Sequence, residues 1–336
     1  MSETASRGVV PEGIHHVTMI AGDPQRNVDF YAGVLGMRLV KKTINFDDPG
    51  TYHLYYGDET GTPGTLLTFF PWPHARRGRE GAGQFNVVSL AVPSESLGWW
   101  VQRLVQSGVE HEPLATRFGE RLLAFRDPDG LRVELVGSSA AERVPGWSGG
   151  PVPAEHAIRG VHAVTLWSDS SAATFAMLEN SFGMTRVGTE QGVTRWRASS
   201  PVDDRVGTLI DVRDVSGFWE GAMGAGTVHH VAWRVPDDAS ELALRERILA
   251  AGLGATPVID RKYFHSVYFR EPSRSLFEIA TDVPGFAVDE PLATLGESLV
   301  LPPWLESERE RITAALPPIH HPSTADARFG ELEARA

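Results

Sequence analysis

One pattern, written four times at intervals of roughly 70 residues, constrains what this chain can fold into more than any other feature it has. Each copy opens on a short apolar strand, continues through an amphipathic helix and closes on a strand or strand pair. The first opens on Gly13 to Ile20, places a helix in Pro24 to Leu35, where Asn27, Phe30, Tyr31, Val34 and Leu35 fall near helical spacing, and closes on Gly64 to Phe70. The second opens on Phe85 to Val92, has its helix in Leu97 to Gln106 and closes on Arg121 to Phe125 and Leu131 to Val136. Between those last strands Asp127-Pro-Asp-Gly130 is a turn with a mechanism, since proline presets the first dihedral and glycine accepts the positive one. The third runs from Gly160 to Leu166, through a helix within Ser171 to Phe182, to Gly207 to Val212. The fourth opens on Thr227 to Trp233, takes its helix from Ala239 to Ala251 and closes on Ser266 to Arg270 and Leu276 to Ala280.

Four such units predict an α+β fold of four βαβββ modules, forming two curved, partly closed mixed sheets with the helices outside. Residues 1–137 hold modules 1 and 2, and 157–282 hold modules 3 and 4. Between them lies a Ser-, Gly- and Pro-rich linker, residues 138–156. Residues 283–336 read as a C-terminal tail with one short charged helix around Pro303 to Leu316.

Aligning the opening strands puts His15, Asn86, His162 and His229 at one position and His16, Val87, Ala163 and His230 at the next. Aligning the closing strands puts Thr68, Glu134, Asp211 and Glu278 together. Successive strand residues face opposite ways, so His16 and His230 are expected on one side of a sheet and His15 and His229 on the other. The fourth module alone carries both an imidazole and a carboxylate. If modules 1 and 4 pair, His16 completes a set of two histidines and one carboxylate, the triad by which non-haem Fe(II) oxygenases hold iron with open positions. Modules 2 and 3 then pair as a scaffold. A lone His-His dipeptide reads most simply as a polar strand edge, and Glu278 alone as an ion-pairing strand residue. Their recurrence at equivalent points of a repeat favours a metal site. Glu134 and Asp211 lack a histidine partner and read as ion-paired or hydrogen-bonded strand residues, and His162 as a core or interface histidine.

Composition narrows the chemistry. Zero cysteines leave any metal to His, Asp, Glu and water. A formal charge of -12 without basic blocks argues against nucleic acid, and no apolar run approaches a membrane span. Met1 to Gly13 show no secretory pattern, so a cytoplasmic location is expected. A homo-oligomer is compatible with the sequence.

At these residues the chain resembles the vicinal oxygen chelate superfamily of glyoxalases and extradiol dioxygenases, and within it the ring-cleaving, hydroquinone 1,2-dioxygenase-like family. The resemblance rests on Gly13-Ile-His-His-Val-Thr18, Val34-Leu-Gly-Met-Arg38, Lys41-Lys42-Thr43 with Asn45-Phe46-Asp47, Thr227-Val-His-His-Val-Ala232, Asp260-Arg-Lys-Tyr-Phe264, and Ser266 to Pro272 followed by Leu276 to Asp282. It implies Fe(II), with Mn(II) as the substitute, on His16, His230 and Glu278. It also implies supporting catalytic roles for His15, Thr18, His229, Arg261 and Tyr268, and a reaction that inserts both atoms of O2 into a hydroquinone- or catechol-like small aromatic substrate. Pro272-Ser-Arg-Ser275 departs from the glycine-bearing turn of relatives, and the loop from Pro71 to Gln84 has no assigned role. Two rival expectations are a glyoxalase-like isomerase or lyase, which ordinarily needs a fourth ligand where Thr68 stands, and a metal-free protein that sequesters an aromatic ligand.

Overall fold

The apolar alternation of the repeats becomes two curved mixed sheets of eight strands each in the computed structural model of the chain, which describes residues 8–200 and 205–321. The first repeat supplies β1 (Ile14–Ala21), α1 (Pro24–Val28), β2 (Arg38–Asn45), β3 (Asp48–Gly57) and β4 (Leu66–Pro71). The second supplies β5 (Gln84–Val92), α2 (Leu97–Gln106), β6 (Ala115–Arg117), β7 (Glu120–Arg126) and β8 (Arg132–Gly137). The third supplies β9 (Gly160–Ser168), α3 (Ser171–Asn180), β10 (Thr185–Glu190), β11 (Val193–Arg197) and β12 (Leu209–Asp214). The fourth supplies β13 (Thr227–Val235), α4 (Asp238–Ala250), β14 (Ile259–Asp260), β15 (Phe264–Arg270) and β16 (Leu276–Pro284).

In every repeat the first strand lies parallel to the fourth, and the third and second follow outward from it. One sheet has the order β14-β15-β16-β13-β1-β4-β3-β2 and the other β10-β11-β12-β9-β5-β8-β7-β6. Each is thus two repeats joined through an antiparallel pair of opening strands, β1 with β13 and β5 with β9. The two sheets touch where glycine permits: Ile14 N donates to Gly207 O at 2.7 Å and Val161 N to Gly64 O at 2.9 Å. Gly13 (φ +138°) and Gly160 (φ +141°) sit at these crossings, and a Cβ on either would come within 2.7 and 2.8 Å of the facing carbonyl.

The central pairs depart from simple alternation. Ile14 pairs with Trp233 and His16 with Ala232, so two residues of β1 oppose one of β13, and the extra residue is His15. Further along, Thr18 pairs with His230 and Met19 with Val228, which leaves His229 extra on β13. The second sheet repeats the device at Asn86 and His162. All four copies of the repeat therefore carry a β-bulge at the same position, and a bulge re-aims the side chain of its extra residue.

The first repeat's helix also differs from a single amphipathic helix over Pro24 to Leu35. It starts as expected, with Asp23 accepting from Arg26 N and proline in the first turn, but widens after Val28 into a π-helical turn over Asp29–Val34. Five consecutive residues, Phe30 to Val34, are buried there, which a helix with one apolar face does not provide for.

Between the sheets runs one core that draws on all four repeats. Phe85 of β5 packs on Phe277 of β16, and Phe182, just past α3, packs on Trp233 and Phe277. Burial of each such ring contributes ~2–3 kcal/mol relative to exposure. The segment 138–156 packs on α2, where His156 stacks on Trp99 and its carbonyl accepts from Trp100 Nε1. As far as residue 321, the chain after β16 does not hang free as a tail. It returns along β2, where Val300 N donates to Lys42 O, and the fully buried Lys41 ammonium is paired with Asp289 and Glu290. This covers an open sheet edge. The charged helix of the tail is a 3-10 turn over Pro303–Glu308 leading into α5 (Arg309–Ala315), and the polar end from residue 322 onward lies outside the described residues.

Candidate metal centre

Three strands at the middle of the first sheet deliver the candidate ligands: His16 from β1, His230 from β13 and Glu278 from β16. His16 Nε2 lies 3.3 Å from His230 Nε2 and 3.4 Å from Glu278 Oε2, and His230 Nε2 lies 2.8 Å from the same oxygen. Three cis ligands at the usual ~2.1 Å from a divalent ion would stand about 3 Å apart, close to what these edges measure. All three are buried, and as a group they are able to hold a metal ion. Ser266 Oγ fixes Glu278 Oε1 at 2.5 Å, whereas Oε2 is buried without accepting a hydrogen bond. An orphaned carboxylate oxygen facing two imidazole nitrogens fits a cation. Burial pushes Glu278 toward the neutral acid, but the facing His16 and His230 outweigh it and hold the carboxyl well below its ordinary range.

The bulges decide what the preceding histidines do. Alternation alone would turn His15 and His229 to the far side of the sheet. Instead His15 Nδ1 sits 3.0 Å from His16 Nδ1, and His229 Nδ1 sits 2.7 Å from His230 Nδ1. One ring of each pair must donate and the other accept, so with Nε2 of His16 and His230 free as lone-pair ligands, their Nδ1–H groups donate back to His15 and His229. Burial, and after it the neighbouring imidazole, keeps both supporting rings neutral: His15 falls well below the usual histidine range and His229 to about 3.

The centre opens on a cavity of about 320 Å³. Its wall includes His229, Arg261 and Tyr268, while His15 and Thr18 sit behind it. Thr18 Oγ1 is 2.7 Å from Thr68 Oγ1, and Arg261 reaches Asp47 at 3.0 Å and the Tyr268 hydroxyl at 3.3 Å. Burial, followed by the charge of Glu278, raises the Tyr268 phenol and keeps it protonated. The wall also contains residues that the repeat comparison passed over. His53 on β3 donates or accepts at Thr68 Oγ1 (3.0 Å) and at the Tyr55 hydroxyl (2.9 Å). Its signal was available in the spacing His53-x-Tyr55 on a strand whose Tyr55 pairs with Thr68. Phe70 and Trp72 add aromatic surface, and Trp72 Nε1 is held by Asp48 at 2.9 Å, which gives the Pro71 to Gln84 loop a place in the wall. In the turn Pro272-Ser-Arg-Ser275, Arg274 occupies a positive φ of 74°.

At the equivalent place in the second sheet, cations are built in. Arg195 forms a two-pronged pair with Asp211 (2.8 and 2.9 Å), Arg117 pairs with Glu134 at 2.6 Å, and Ser89 donates to Glu134. His162 faces Glu120 at 3.0 Å, and Glu120 is shared with Arg195. Val87 and Ala163 supply no imidazoles there.

The profile of the Glyoxalase/Bleomycin resistance protein/Dioxygenase superfamily matches residues 13–135. The provisionally named ring-cleaving dioxygenase MhqO of Bacillus subtilis (strain 168) is 48% identical over 306 residues, covering 91% of this chain and 96% of that one. Chlorohydroquinone/hydroquinone 1,2-dioxygenase of Sphingobium indicum is 35% identical over 308 residues, covering 90% and 94%. A crystal structure of a provisionally named dioxygenase from Bacillus subtilis subsp. subtilis str. 168 superposes with a TM-score of 0.87 at 46% identity, covering 93% of this chain and 98% of that one.

Proposed function

This chain belongs to the glyoxalase/bleomycin resistance protein/dioxygenase superfamily, and from that premise we propose that it is a metal-dependent ring-cleaving dioxygenase acting on hydroquinone- or catechol-like substrates. The observation that carries this reading is Glu278 Oε2, buried, unpartnered by hydrogen and facing two imidazole nitrogens at the floor of an aromatic-walled cavity. His16, His230 and Glu278 would hold the metal, for which Fe(II) is the first choice and Mn(II) the substitute. When bound, such an ion supplies Lewis acidity toward a phenolic oxygen and redox access to dioxygen.

The chain's own residues do the rest. Phe70, Phe264 and Trp72 bound a space suited to a single ring and keep water from it. His229 touches both His230 and the cavity; with its Nδ1 accepting from His230, its Nε2–H is left to donate to a substrate oxygen and orient it. Tyr268 holds a proton ready at its hydroxyl. Arg261, tied to that hydroxyl and to Asp47, places a fixed positive charge beside any negative charge that develops on the ring. His15 orients His16, and Thr18 braces Thr68.

An isomerase or lyase of the glyoxalase kind would want a further protein ligand at Thr68, whose oxygen is already engaged by Thr18 and His53. A sequestering protein would bind the ring and leave oxygen untouched. Reconstitution with Fe(II) under anaerobic conditions, followed by oxygen uptake with a panel of hydroquinones and catechols, separates the three. The expected result is one O2 consumed per ring opened, dependent on added metal. Full activity in a metal-free preparation, or no oxygen uptake with any member of the panel, would overturn the reading.

A further inference from the structure

A second cavity of about 550 Å³ adjoins the first, and Trp72, His229 and Leu276 line both. Strand register explains the continuity. Tyr268 pairs with Glu278 and Arg270 with Leu276, so along β15 and β16 the face that carries the candidate centre continues one step outward to Leu276 and Arg270. The outer space is apolar on the side of Phe85, Met223 and Val228 and cationic at Arg270. Arg274 in the same wall is committed to Asp169 at 2.8 Å and Glu220 at 3.6 Å. Arg270 is not so committed: one N–H reaches Arg274 O, and no carboxylate pairs with it among the described residues. Its remaining donors are available at the rim of the cavity.

Resting on the ring-cleavage reading, we propose that the outer cavity is a subsite for an apolar substituent ending in an anion, so that the substrate class is a hydroquinone bearing a carboxylate-terminated arm. The inner cavity takes the ring, Leu276 and Trp72 flank the arm, and Arg270 pairs with the terminal charge. Two strand residues advance about 7 Å, which sets an arm of about four carbons between ring and carboxylate.

The test compares hydroquinone carrying a four-carbon carboxyalkyl arm with the same compound as its primary amide, using the full chain loaded with Fe(II). The wild type is expected to prefer the carboxylate by about tenfold in kcat/KM, the size of a charged hydrogen bond. In R270Q that ratio falls to near one, and in R270K part of it is kept. Equal use of acid and amide by the wild type, or a ratio that survives R270Q, overturns the subsite. Anaerobic equilibrium binding of the two compounds reads the same ratio without turnover. If no ring is cleaved yet binding shows an Arg270-dependent preference, the ring-cleavage reading fails and the anion subsite stands. If unsubstituted hydroquinone is cleaved and no preference exists, the subsite alone fails.

Discussion

Glu278 owes its ionisation to two imidazoles that a metal would turn into fellow ligands, so its charge and its partners cannot be changed separately. Replacing Glu278 by Gln keeps the volume and removes the anion. The expected outcome is at least about a hundredfold loss of both metal affinity and oxygen-consuming activity, with the circular dichroism spectrum retained. Metal analysis after dialysis against trace Fe(II) checks this, and a fully loaded Gln variant would contradict it. His16→Ala is expected to do the same. Away from the centre, Glu241 on α4 is fully buried with both carboxylate oxygens unpartnered, and burial, reinforced by Asp238 and Glu278 against the opposing His265, raises it to about 7. Its folded value exceeds its unfolded one, so its contribution is present at low pH and lost as pH rises from about 4.3 through 7. Urea unfolding should show roughly 2–3 kcal/mol less stability from this group at pH 8 than at pH 4, with the corresponding part of the pH slope absent in Glu241→Gln.

Elements explain both what the sequence discloses and what it conceals. Opening and closing strands were legible because their apolar runs recur, and comparing copies selected His16, His230 and Glu278, which the fold brings within 3.4 Å of one another. His53 escapes that comparison because it lies on the middle strand β3, whereas the repeats are most alike in their opening and closing strands. The orientation of His15 and His229 escaped for a different reason: a period of two is a rule for paired residues, and each of these is the unpaired extra residue of a bulge. The π-helical turn and the return of the chain along β2 depend on contacts between distant segments, which local periodicity does not encode. Glycines at the sheet crossings offer a test at this scale. Ala at Gly13 needs both a positive φ and a Cβ within 2.7 Å of Gly207 O, so Gly13→Ala should cost ~2–4 kcal/mol and lower Tm by several degrees. An unchanged Tm would show that the junction yields.

Across the whole molecule the two sheets are near copies that meet the same electrostatic demand differently. Both bury carboxylates on their closing strands, Glu278 in one and Glu134 with Asp211 in the other. In the second sheet guanidinium groups of Arg117 and Arg195 answer them. Asp211→Ala removes the two-pronged half of Arg195's pairing and leaves it Glu120, so it should cost ~2–3 kcal/mol, while metal content at the first sheet stays at the wild-type level. Calorimetry and metal analysis on one sample read both. A loss of metal would mean that the sheets are coupled more tightly than their separate strand networks imply. The division of labour has a consequence for where the protein works. The second sheet carries its counter-charges in its own covalent chain, whereas the first, with His16, His230 and Glu278 holding an ion as proposed, would draw one from solution. By mass action a site filled at a hundred times its dissociation constant gains about 2.7 kcal/mol. On that proposal the resilience of one half is inherited and that of the other would follow the surrounding metal supply, so starvation for the ion would be felt first as a softening of the very sheet that houses the cavity.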